Sequence, residues 1–91
     1  MYKVTLSEQA QSDYAYFVKG GNVNAVKKIV RLLKELEEHP FTGTGKPEQL
    51  KGCGGSLWSR HITKKHRLIY EIIEAVVHVD VLSAYGHYDD K

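Results

Sequence analysis

A single cysteine, Cys53, is the only thiol in this chain of 91 residues. An intramolecular disulfide is therefore excluded, and a reducing compartment, the cytoplasm, is the expected location. Long apolar runs are missing as well. None approaches the roughly 18 residues of a membrane span, and the N-terminus lacks the charged region, apolar stretch and small-residue site of a secretory signal, so a soluble, unprocessed protein is expected. Net charge is slight: 13 lysines and arginines against 11 acidic residues leave +2. That excess does not by itself establish a nucleic acid partner, although the cluster of Glu35, Glu37 and Glu38 leaves another surface more basic than the total. His61, His66, His78 and His87 lack zinc spacing and have no cysteine pair beside them, so neither metal nor cofactor is expected. What remains is ordinary globular composition, 42% hydrophobic and 26% charged. It suits one domain spanning residues 1–91 around one modest core.

The pattern along the chain predicts a first strand over 2–6, "YKVTL", and then a helix capped by Ser7, with Ala10, Tyr14 and Phe17 on one face. Gly20 and Gly21 end it. A second helix is predicted between Asn22 and His39, its apolar side made by Val23, Val26, Ile29, Val30, Leu33 and Leu36; Pro40 stops it. The stretch "FTGTGKPEQLKGCGGS" contains five glycines and one proline and reads as an ordered loop holding a short strand around residues 48–51. Three strands follow at 57–62, 66–73 and 76–84, joined by turns at 63–65 and 74–75. The order predicts an α+β domain, two helices on one face of a small, mainly antiparallel twisted sheet.

Alternation in the strand from His66 sends Leu68, Tyr70 and Ile72 one way and Arg67, Ile69 and Glu71 the other. If the helices cover the Leu68 face, Arg67 lies on an open sheet surface. In one register Trp58, Arg60 and Ile62 join it there; register itself is not readable from sequence. Such a surface, beside a loop with Lys46, Glu48 and Lys51, has the ingredients for RNA: cations for phosphates, flat rings or guanidinium planes for bases. The chain closes on "SAYGHYDDK", an imidazole and a phenol at a strand end.

The segments "GTGKPEQLKG", "LWSRHITKKHRLIYEI" and "SAYGHY", in this order and near these spacings, resemble the YoeB/Txe branch of the RelE-type bacterial toxins. The preceding "SDYAYF" and "AVKKIVRLLKELEEHPF" extend the resemblance over nearly the whole chain. It implies the RelE-like microbial ribonuclease fold and a ribosome-dependent endoribonuclease that cuts mRNA in the decoding site of the 70S ribosome without a metal. It also implies silencing by a cognate YefM/Phd-type antitoxin, with a homodimer or a toxin–antitoxin heterotrimer as the assembly. Carried over residue by residue, Glu48 matches the general base, His87 the general acid, Arg67 the contact to the scissile phosphate and Tyr88 the terminal tyrosine that orients substrate or acid. Lys46, Lys51, Arg60 and His61 match cationic or polar contacts to RNA, and Trp58 a residue that stacks or packs.

This chain departs from the pattern at His61, where a second arginine is usual, in the loop "GCGGS", and in Asp89, Asp90 and Lys91 beyond the usual tyrosine end. Without the resemblance, His87 and Glu48 would read as solvated surface groups, His66 and Tyr70 as packed or hydrogen-bonded positions, and His39 as a helix cap. Two other functions fit the same fold: a noncatalytic inhibitor like the gyrase-binding relatives, and a degenerate toxin kept as an antitoxin-binding co-repressor. The combination of Glu48, Arg67 and His87 favours the nuclease.

Overall fold

Ser7 sits in extended conformation and its hydroxyl accepts the Ala10 amide at 3.1 Å, so the chain turns from strand β1 (Lys3–Leu6) straight into helix α1 (Glu8–Lys19). In the computed structural model, which describes residues 1–50 and 56–86, Asn22 caps α2 (Val23–Glu38) in the same way, its side-chain oxygen taking the Ala25 amide. Buried Pro40 ends that helix as expected. Strands β2 (Glu48–Gln49), β3 (Leu57–His61), β4 (Arg67–Ile73) and β5 (His78–Ser83) complete the chain. The turn between β4 and β5 is longer than the sequence suggests. It is a 3₁₀ turn, Glu74–Val76, closed by Val77 at a left-handed φ of 51°.

The five strands form one sheet in the order β1-β5-β4-β3-β2. All neighbouring pairs are antiparallel except β1 and β5, which run parallel. Both helices lie against one face. Leu68, Tyr70 and Ile72 of β4 and Val79 and Val81 of β5 pack there on Ala10, Phe17, Ala25, Ile29, Leu32 and Leu36. Each such large side chain contributes about 1.5–3 kcal/mol when fully withdrawn from water.

Two expectations about this core need correction. The face α2 turns to the sheet is Ala25, Ile29, Leu32 and Leu36, whereas Val23 and Val30 are exposed. The helix is apolar over more than one stripe, and the sheet takes only one of them. In α1, where helical spacing points to Ala10, Tyr14 and Phe17, the interior takes Ala10, Asp13 and Phe17, with Asp13 at 6% exposure and Tyr14 only half-buried. The Asp13 carboxylate accepts the Ala84 amide at 2.9 Å and the Gln9 side chain at 2.7 Å, which satisfies the buried charge.

Candidate active site

Opposed residues of an antiparallel pair share a face, so the register decides which side chains meet on the surface away from the helices. Glu48 stands opposite Ser59, Ser59 opposite Ile69, and His61 opposite Arg67. Leu68, Tyr70 and Ile72 belong to the helix-covered core, so Arg67 and Ile69 point to the opposite face, where Ile69 is nonetheless buried at 7% exposure. Glu48, His61 and Arg67 thus lie together there, with Lys46 on the loop just before β2. Lys46 itself holds a left-handed φ of 53°, between Gly45 at φ 87° and Pro47.

The loop is held close by His61, whose amide donates to the Gly45 carbonyl at 2.6 Å. A Cβ on Gly45 would sit 2.9 Å from the His61 carbonyl oxygen, so this approach requires glycine on geometry as well as on φ.

Electrostatics report the same gathering. Burial, then the charges of Arg67 and Lys46, hold the His61 imidazole below its ordinary value of 6.5, while Glu48 pulls the other way. The shift favours the uncharged imidazole. Arg67 is half-buried, and its buried Nη1 has no hydrogen-bond partner among the described residues. A guanidinium nitrogen withdrawn from water and left without an acceptor is suited to a ligand oxygen.

Arg60 does not belong to this surface. It stands opposite Leu68, on the helix-covered face, and is 0% exposed. Its Nε donates to the Tyr70 hydroxyl at 3.0 Å, Nη1 to Glu35 Oε1 at 3.0 Å and to the Thr44 carbonyl at 3.4 Å, and Nη2 to the carbonyls of Thr42 at 2.8 Å and of His39. The residue expected to touch RNA instead binds the turn that leads from α2 to Lys46 and Glu48. Burial raises the Tyr70 phenol, against the opposing effect of Arg60, and its hydroxyl passes on a hydrogen bond to the Pro40 carbonyl. For Glu35, burial acts upward but is outweighed by hydrogen bonds from Thr44 and Arg31 and by the Arg60 charge, leaving its carboxyl below 4.5.

Of the two alternatives for Trp58, stacking or packing, the structure shows packing. Opposite Tyr70, it packs on the core, its ring edge-on to Phe41 with centroids 5.4 Å apart. His39 caps α2 through its backbone, as anticipated, with its amide bonded to the Glu35 carbonyl.

Lys51, Cys53, His87 and Tyr88 lie outside the described residues, as do Asp89, Asp90 and Lys91. The chain leading towards them is well tied: the Gly86 carbonyl accepts the Arg67 amide at 2.8 Å. Sequence reasoning missed Asp13 and the interior role of Arg60, and no pattern of residue types marks either. Among the described residues, no three His, Cys, Asp or Glu side chains gather as metal ligands would.

A family model described as the YoeB-like toxin of bacterial type II toxin–antitoxin systems matches residues 6–88. The chain belongs to the YoeB toxin family. It is 42% identical over 72 residues to toxin YoeB of Escherichia coli strain K12, covering 79% of this chain and 84% of that protein. The YoeB dimer from Staphylococcus aureus superimposes with a TM-score of 0.80 at 38% identity, covering 96% and 98% of the two chains. The YoeB–YefM complex from the same organism gives 0.77 at 38% identity, covering 97% and 99%. The architecture is that of YoeB and RelE toxins, as the sequence resemblance implied.

Proposed function

We propose that this YoeB-family toxin is an endoribonuclease that cuts messenger RNA on the ribosome. The observation that carries the reading is the sharing of one sheet face by Glu48 and Arg67, with a buried guanidinium nitrogen of Arg67 that has no partner among the described residues. In the proposed reaction Glu48 takes the proton of a ribose 2′-hydroxyl as its oxygen forms a bond to the adjacent phosphorus. The bond from phosphorus to the 5′-oxygen breaks, His87 protonates that oxygen, and the products are a 2′,3′-cyclic phosphate and a 5′-hydroxyl. Arg67 stabilises charge growing on the phosphoryl oxygens, and Tyr88 orients substrate or acid. Lys46 and Lys51 hold neighbouring phosphates, and neutral His61 offers a hydrogen bond where a second guanidinium would add charge.

The partners proposed are mRNA in the 70S decoding site and a YefM-type antitoxin whose carboxylates neutralise Lys46 and Arg67 on the same face. A homodimer is the proposed free form, and the cytoplasm its location. Mapping of transcript 5′ ends on programmed ribosomes tests the nuclease directly. Cuts within ribosome-occupied codons are expected, with rates falling about 100-fold or more in Glu48→Gln, Arg67→Gln and His87→Ala. Wild-type rates in the Glu48 and Arg67 variants would sink the assignment.

A further inference from the structure

The last described residue, Gly86, is gripped at both of its main-chain polar groups. Its carbonyl accepts the Arg67 amide, and its amide donates to Nδ1 of His66 at 2.8 Å. Two steps earlier the Ala84 amide is held by Asp13. We propose that His66 is a positioning residue for the proposed ribonuclease: its Nδ1 sets the direction in which the chain leaves Gly86 towards His87. The proposal rests on the nuclease reading above.

The imidazole is well placed for such a task. Its backbone closes the turn between β3 and β4, where the Thr63 hydroxyl accepts the His66 amide at 3.1 Å and the His66 carbonyl takes the amides of Ile62 and Thr63. The ring is wedged between aromatic neighbours, edge-on to Phe17 with centroids 5.0 Å apart and tilted over Tyr85 at 4.6 Å. A ring held on a stiff turn and packed on two sides has a fixed nitrogen. To accept the Gly86 N–H, that Nδ1 carries no proton of its own.

The clamp also explains where the tie falls. Gly86 has a φ of 78°, and an added Cβ would meet nothing within 4 Å among the described residues. Glycine is therefore required by the turn of the backbone rather than by crowding. The chain bends there, and a bend with free rotation would scatter whatever follows. Hydrogen bonds to two adjacent residues, His66 in the turn before β4 through its ring and Arg67 at the start of β4 through its amide, fix both sides of the bend.

His66→Phe preserves the ring against Phe17 and Tyr85 and removes the acceptor, whereas His66→Asn returns an acceptor oxygen without the ring. Single-turnover cutting of ribosome-bound mRNA by the full chain should slow about 10- to 100-fold in the Phe variant, the range a misplacement of roughly 1 Å produces. KM and the melting temperature should stay near wild type, and the Asn variant should recover part of the rate. Hydrogen exchange at the Gly86 amide, followed by NMR, should be at least about tenfold faster in His66→Phe than in wild type. Wild-type cutting by His66→Phe overturns the proposal. So does an equal loss of rate and of melting temperature in both variants, which would make His66 a packing residue only. If the wild-type protein cuts nothing, the nuclease reading fails, and the Gly86 amide alone then decides whether the clamp exists: unchanged exchange in His66→Phe refutes it, accelerated exchange upholds it.

Discussion

Arg60→Met keeps an unbranched apolar stem and removes the guanidinium. It takes their donor from the carbonyls of His39, Thr42 and Thr44, and one partner each from the Tyr70 hydroxyl and the Glu35 carboxylate. Removing one member of a buried charged network costs about 3–5 kcal/mol. The lower end applies here. The Glu35 side chain is 21% exposed and keeps the Thr44 amide and Arg31, so its share of the attraction is screened by water. About 3 kcal/mol would lower the melting temperature of a domain this size by roughly 12–24 °C. It is also a large part of the roughly 5–14 kcal/mol that holds such a chain folded. Urea titration should show the loss as a lower midpoint at unchanged slope. Arg60→Lys, which keeps the charge without the fork, should fall between wild type and the Met variant. The reasoning fails if Arg60→Met unfolds at the wild-type midpoint yet binds RNA less tightly and with a shallower salt dependence, the behaviour of a surface phosphate contact.

An NMR titration of His61 should give a midpoint below 6.5, displaced further down in Glu48→Gln and back up in Arg67→Gln. The unfolded chain takes up this proton first as pH falls, so His61 should lower stability progressively below pH 6.5 until its folded value is reached; a titration untouched by either substitution would separate His61 from both groups. Gly45→Ala should destabilise by about 1–3 kcal/mol and slow cutting, because the new Cβ would press on the His61 carbonyl at a φ that side chains rarely adopt. Asp13→Ala should cost about 1–3 kcal/mol in thermal or urea unfolding, since the buried Ala84 amide loses its acceptor. Wild-type stability in that variant would show that the amide finds another partner.

Much of the architecture was readable because local chemistry agreed with it. Ser7 and Asn22 cap the helices, Pro40 ends the second, and alternation in β4 separated Leu68 and Tyr70 from Arg67 correctly. Pairing register was the weak point. A shift of one residue carries every side chain of a strand to the other face, and β3 illustrates it: Ser59, though buried, and His61 lie on the face away from the helices, and Trp58 and Arg60 on the covered one. Arginine is seldom buried, so the identity of Arg60 pointed outwards. The acceptors that reverse this come from Glu35, Tyr70 and the turn after α2, dispersed residues with no common motif. The departure from the family pattern also gains a location, because His61, the unusual residue, stands opposite Arg67.

The order of the strands has a consequence for how the molecule comes into being. β5, made last, lies between β1 and β4 and supplies Val79 and Val81 to the interior. A growing polypeptide that has not yet released this segment from the exit tunnel has no seat for β1 and an unfinished floor beneath both helices. The surface that bears Glu48 and Arg67 can therefore acquire its shape only after β5 has emerged and taken its place between its two neighbours.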